Sequence, residues 1–125
     1  MNQSVIHIFI ITLALVLLGG CATRQVLLDR ALVINATPGI ISEVKVRHEP
    51  TGKIGAANMI LPQKSFDLGF SKQPMLAKEA VVTWIDQSGL QRRAKVALPN
   101  KSDGETSVLV YTIQSAGDIT VELKE

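Results

Sequence analysis

The chain predicts an all-β fold, a small antiparallel sandwich. From Ala31 onward, short runs of Val, Ile, Leu and Thr alternate with polar residues or cluster in apolar blocks, the pattern of half-buried and fully buried strands. Turn residues punctuate these runs at short intervals, with prolines at positions 38, 50, 62 and 74. The segments between those prolines share nothing else, so the spacing marks turns and not a repeat. No segment of this part carries apolar residues at helical spacing.

The elements follow in order. Ala31 to Ile34 is an apolar strand, closed by the turn cluster Asn35-Ala-Thr-Pro-Gly39. Ser42 to Glu49 alternates, with Val44 and Val46 on one face and Lys45, Arg47 and Glu49 on the other. Glu49-Pro-Thr-Gly52 turns the chain into a weaker strand, Ile54 to Leu61, diluted by Gly55, Ala56 and Ala57. After Pro62-Gln-Lys64, Ser65 to Phe70 places Phe66, Leu68 and Phe70 on one face. Ser71 to Met75 is loop. Ala80 to Ile85 is rich in β-formers and apolar on both faces, as a central strand should be. Asp86-Gln-Ser-Gly89 is a hairpin turn. Leu90 to Leu98 returns, and Pro99 stops it. Asn100 to Glu105 is a polar loop, and Ser107 to Gln114 with Asp118 to Lys124 forms a last hairpin. About seven strands in this length argue for an immunoglobulin-like sandwich. Its core would rest on aliphatic residues with Phe66, Phe70 and Trp84, and with Tyr111 either inside or on the face described below.

Composition narrows the function. The 125 residues carry a net charge of only +2, which is no nucleic-acid signature. A single Cys excludes an internal disulfide and a CxxC site. His7 and His48 stand far apart and cannot assemble a metal centre. No Ser sits in a GxSxG elbow and no glycine-rich phosphate loop precedes a helix, so catalysis lacks its parts and no enzyme is expected. Mean hydropathy is +0.25, high for a small domain. The excess has a local source. No Asp, Glu, Lys or Arg precedes Arg24, and Val5 to Leu18 is apolar except for His7 and Thr12.

That apolar run is shorter than a usual bilayer span of ~20 residues and suits a signal-peptide core. It ends in Leu18-Gly19-Gly20-Cys21. This resembles the lipobox of bacterial lipoproteins. The resemblance implies cleavage before Cys21, a diacylglycerol thioether on its sulfur and an acyl chain on its new amine. Residues 1–20 would then be a removed signal peptide, 21–28 a lipidated Cys with a short tether, and 29–125 the sandwich domain. Ala22, where the family's inner-membrane proteins carry Asp, implies sorting to the periplasmic face of the outer membrane in a Gram-negative envelope. One departure keeps an alternative open. No Lys or Arg precedes the apolar run, as an uncleaved inner-membrane anchor over Met1 to Thr23 would allow.

Four candidate features remain in the body. His48 shares the parity of Val44 and Val46 and reads as a strand-end residue partly solvated beside Glu49. Arg92-Arg93-Ala-Lys95 offers Arg93 and Lys95 to an acidic partner or to lipid phosphates, or simply solvates a strand face. Arg92 has inward parity, which calls for a bulge or a strand end there. Trp84 reads as the central aromatic of the core. If Ala116-Gly117 is a two-residue turn, then Val108, Val110 and Thr112 face the core with Ile119, Val121 and Leu123. Leu109, Tyr111 and Ile113 would then line the outer face as a partner surface. A longer turn would invert that assignment.

The expected protein is a lipid-anchored, non-catalytic module of the cell envelope. It binds a protein partner, with no cofactor beyond the acyl groups on Cys21 and no metal or nucleic acid. The alternative is a binding module for an envelope glycan, lipopolysaccharide or lipid, which would show a concave pocket with convergent polar groups. The lipobox reading makes a first prediction. Cys21→Ser should leave the leader uncleaved and abolish metabolic labelling with a palmitate analogue. Unchanged mass and labelling would show that Cys21 is not the modified residue.

Overall fold

The computed structural model describes residues 27–99 and 106–124. Leu18, Gly19, Gly20, Cys21 and the Asn100–Glu105 loop lie outside the described residues. The strands are β1 (Leu27–Asn35), β2 (Ile41–Glu49), β3 (Ile54–Ile60), β4 (Ser65–Asp67), β5 (Gln73–Pro74), β6 (Glu79–Ile85), β7 (Gln91–Ala97), β8 (Thr106–Ile113) and β9 (Ile119–Lys124). They form the expected all-β sandwich. One sheet has the order β4-β1-β8-β9, with the two-residue β5 also pairing β1; the other has the order β3-β2-β6-β7. All pairings are antiparallel except β1 with β8.

The pairing fixes two ends. The β1–β2, β3–β4, β6–β7 and β8–β9 connections lie together, since Asn35 pairs with Ile113, Ile41 with Ile60, and Ile85 with both Ser42 and Gln91. Leu27, where the described chain enters, lies at the opposite end beside Thr106 and Pro74. At ~3.3 Å per residue, β1 separates the two ends by about 26 Å. The strand takes in Leu27 and Leu28, expected in the tether; Leu28 is buried in the core.

Two bulges shape the inner face. On β2, Ser42 to Lys45 spans one residue more than its partners Ile85 to Thr83. Glu43 absorbs the extra residue at φ 49°. Ile41 and Val44, three apart, therefore both point inward with Val46. β1 has a similar shift between Leu28 and Arg30 against β8, and Leu28 and Ala31 both point inward. The core they build is mainly aliphatic, with Trp84 and Tyr111 as its largest fully buried side chains. Phe66, expected there, is 43% exposed. It pairs opposite Val33, but β4 is a three-residue edge strand and nothing closes over the ring. The Ser65–Phe70 strand ends early at Asp67, where Gly69 turns at φ 77° and the Asp67 carboxylate accepts its N–H.

The last hairpin corrects the largest expectation. Its connection is Gln114–Asp118, a single 3₁₀ turn with Ala116 and Gly117 at φ 69° and 81°. Ile113 consequently pairs with Ile119, Tyr111 with Val121, and Leu109 with Leu123. The register differs by one residue from that of a two-residue turn, and in a strand one residue inverts the faces. Leu109, Tyr111 and Ile113 are 0% exposed and belong to the core. They are not a partner surface. The outer face takes Val108, Val110 and Thr112 instead.

One buried polar residue joins the sheets. The Asn35 amide of β1 donates to Gly39 O (2.8 Å) and to Ile60 O of β3 (2.9 Å). Its Oδ1 accepts from the backbone N and the Oγ1 of Thr37. Asn35→Ala removes all four bonds; Gly39 O keeps the Thr37 hydroxyl at 3.0 Å, whereas Ile60 O loses its Asn35 donor, and a buried group left unmet costs ~1–3 kcal/mol. The expected loss of unfolding free energy, read by urea denaturation, is about 2–4 kcal/mol. Thr37→Val should lose clearly less.

Candidate functional site

The outer face of β3-β2-β6-β7 brings four cations of the body into two adjacent rows. In register, Ala56, Lys45, Thr83 and Arg93 form one cross-strand row, and Ile54, Arg47, Val81 and Lys95 the next. Lys45, Arg47, Arg93 and Lys95 are all exposed. Strand spacing of ~4.8 Å sets Lys45 about 10 Å from Arg93 and Arg47 about 10 Å from Lys95, with the rows about 7 Å apart. Two of the four are partly neutralised. Glu49 accepts from Arg47 at 2.6 Å, and Glu79 pairs with Lys95 at 3.2 Å. Among the described residues Lys45 and Arg93 have no ion pair. The inner row is thus an uncompensated positive strip around Thr83.

Sequence reading singles out Arg93 and Lys95 and misses their neighbours. It places Lys45 and Arg47 on an outward face, but the pairing of β2 with β6 is what brings them beside Arg93 and Lys95. That long-range pairing leaves no local signal.

A second concavity lies at the loop end. Arg92 has the inward parity expected, without the bulge, since β6 and β7 pair without interruption from Glu79–Ala97 to Ile85–Gln91. It faces inward opposite Trp84 where the sandwich opens into a cleft of about 410 Å³. The Asp86 carboxylate organises the rim. Its Oδ1 accepts from Ser88 N, Ser88 Oγ and Leu90 N, and its Oδ2 from Arg92 Nε at 3.1 Å. The Ser88 hydroxyl, the neighbouring backbone N–H groups and Arg92 hold its pKa down to about 2.

His48 is not the half-solvated strand end expected. It is 2% exposed, stacks on Phe70 at 4.5 Å between ring centroids, and lies 2.7 Å through Nε2 from the Tyr111 hydroxyl. Burial pushes its pKa down to about 4 and pushes that of Tyr111 up. Both side chains are therefore neutral near pH 7. Among the described residues no three His, Cys, Asp or Glu side chains lie close enough to hold a metal ion.

No protein-family model and no curated protein matches the chain. Among solved structures it is similar to an NMR structure of a protein from Eubacterium rectale. That likeness has a TM-score of 0.54 at 20% identity, over 78% of this chain and 88% of the other. It concerns the fold.

The depressed His48 pKa predicts a pH dependence. The unfolded chain takes up a proton near pH 6.5, whereas the folded chain resists it down to about 4. Stability is therefore full above about pH 6.5 and falls as the pH drops toward 4. The expected loss between pH 7 and 4.5 is about 2 kcal/mol, measured by urea denaturation at each pH. His48→Gln should flatten this window, and Tyr111→Phe should retain the slope because burial is its cause. A slope that survives His48→Gln would place the titrating group elsewhere.

Proposed function

We propose that the chain is a lipid-anchored, non-catalytic docking module of the cell envelope, held at the periplasmic face of the outer membrane through Cys21. Its working surface is the basic outer face of β3-β2-β6-β7, and its partner is a protein with an acidic face. The observation that carries this reading is the pair of cationic rows around Thr83, with Lys45 and Arg93 uncompensated. Between the cations stand only Thr83 and Val81, with the small Ala56 beside Lys45, so a flat partner surface can approach the sheet closely. Charge complementarity of this kind speeds encounter and rejects basic partners more than it adds raw affinity. The anchor supplies the rest. Cys21 is separated from β1 by Ala22 to Val26, a reach of about 20 Å. Tethering confines the face to the membrane surface and raises its effective concentration there without any new contact.

A photo-crosslinking residue at Thr83 in living cells tests this. The expected result is a protein adduct whose crosslinked peptide is rich in Asp and Glu. It should be lost when Lys45→Glu and Arg93→Glu are combined, with apparent affinity for the recovered partner down at least ~10-fold at low salt. The same probe at Thr120, on the other sheet, should not give that adduct. Adducts with lipid alone, or protein adducts that survive the double reversal, would overturn the reading.

A further inference from the structure

The cleft at the loop end has the makings of a ligand site separate from the docking face. Three turns wall it, at Thr37–Pro38, Asp86–Ser88 and Gln114–Gly117, and Trp84 and Arg92 line it from inward-facing strand positions. Its volume of about 410 Å³ falls within the ~300–1,000 Å³ usual for small-molecule pockets.

Trp84 is the first pointer. It is 2% exposed, yet among the described residues its indole N–H donates no hydrogen bond. Among the described residues no fully enclosed side-chain nitrogen or oxygen is left without a partner either. The N–H is therefore not sealed inside the protein, and the cleft is the open space that Trp84 lines. A tryptophan in a sandwich core ordinarily gives this donor a partner. Here the donor is left for something that enters.

Arg92 is the second. Asp86 engages only its Nε, and the Nη end lies over Gly117, where a Cβ would come within 3.4 Å of Nη1. The Nη edge of the guanidinium is uncommitted among the described residues. Asp86 keeps its negative charge, but both of its oxygens are engaged by donors on the rim, so it does not compete for the Nη edge. The remaining lining residues carry no charge. Trp84 and Arg92 are cross-strand partners, so two sets of free donors border one cleft, one of them cationic and planar, and no free carboxylate competes for them. A carboxylate matches a guanidinium edge through two parallel bonds.

We propose that this cleft binds a small polar ligand bearing a free carboxylate, held by the Nη edge of Arg92 and the indole N–H of Trp84. Such a carboxylate could come from an acidic sugar or from the C-terminus of a short peptide. The site stands independently of the docking face.

The chain has one tryptophan, so its indole ¹H–¹⁵N resonance reports on the cleft without ambiguity. The full chain in detergent micelles is titrated with glucuronate and with alanyl-alanine, and in parallel with glucose and alanyl-alanine amide. A saturable shift of the indole resonance with at least one free carboxylate, absent with its neutral counterpart, is expected. Which of the two acts identifies the source of the carboxylate. Arg92→Gln should weaken binding at least ~10-fold. Ser115→Tyr, an exposed turn position, should block the cleft without disturbing the core. Lys45→Glu with Arg93→Glu should bind as the parent does, which separates this site from the docking face. Absence of any saturable shift, equal shifts with the neutral compounds, or undiminished binding by both Arg92→Gln and Ser115→Tyr would overturn the proposal.

Discussion

The hydrogen bond between His48 and Tyr111 crosses from one sheet of the sandwich to the other. His48 belongs to β2 and Tyr111 to β8, so the bond ties one sheet to the other. A disulfide is the usual cross-sheet tie of antibody-type sandwiches, and a chain with one cysteine cannot form one internally. A neutral pair serves instead. The bond gives both His48 Nε2 and the Tyr111 hydroxyl a partner, so neither of these atoms is buried unmet. Phe70 stacked on the imidazole excludes water from one side. The bond also demands that Tyr111 point inward, and that requirement extends to everything in phase with it on β8 and β9.

The turn at Gln114–Asp118 meets this demand. Because it is longer than two residues, Leu109 and Ile113 go inward with Tyr111, and Ile119, Val121 and Leu123 join them from β9. This part of the fold is poorly legible in the sequence. Both faces of β8 are apolar, so alternation alone does not choose between Val108-Val110-Thr112 and Leu109-Tyr111-Ile113. The turn is equally ambiguous, since Ala116 adopts φ 69°, a conformation that an alanine does not advertise. Where one face is plainly charged, sequence and structure agree. Val44 and Val46 lie inside and Lys45 and Arg47 outside, as the alternation of β2 implies. Trp84 lies in the core, and the Asp86 turn stands where the Asp-x-Ser-Gly cluster places it.

The two outer faces differ for the same reason. On the β4-β1-β8-β9 sheet, Leu32, Val108 and Val110 stand among Arg30, Asp67, Glu122 and Lys124, two charges of each sign. On the other sheet four cations share two adjacent rows. Like charges on neighbouring strands oppose folding. At about 10 Å, close to the Debye length in ~0.1 M salt, the repulsion between Lys45 and Arg93 is weak. Glu49 and Glu79 offset the lower row. The face therefore retains a positive field at little cost to stability, and that field acts on whatever approaches the sheet.

The loop end is built with more hydrogen bonds than its turns need for reversal alone. Asn35 locks the Thr37 turn to β3, and Asp86 locks the Ser88 turn to Arg92. The two turns also meet directly. The Gln87 side chain fills the place that a Cβ on Gly39 would occupy, so glycine at 39 lets one turn close against the other. Facing walls of the cleft are therefore held by separate buried or saturated side chains, and each wall is positioned before anything enters. Preorganised donors retain more of their interaction energy on binding than donors that must first be ordered. This ordering lies about 26 Å from the end where β1 receives the chain. If that end faces a bilayer through an anchored Cys21, the rigid cleft is presented away from it, with the cationic face exposed along the flank between them.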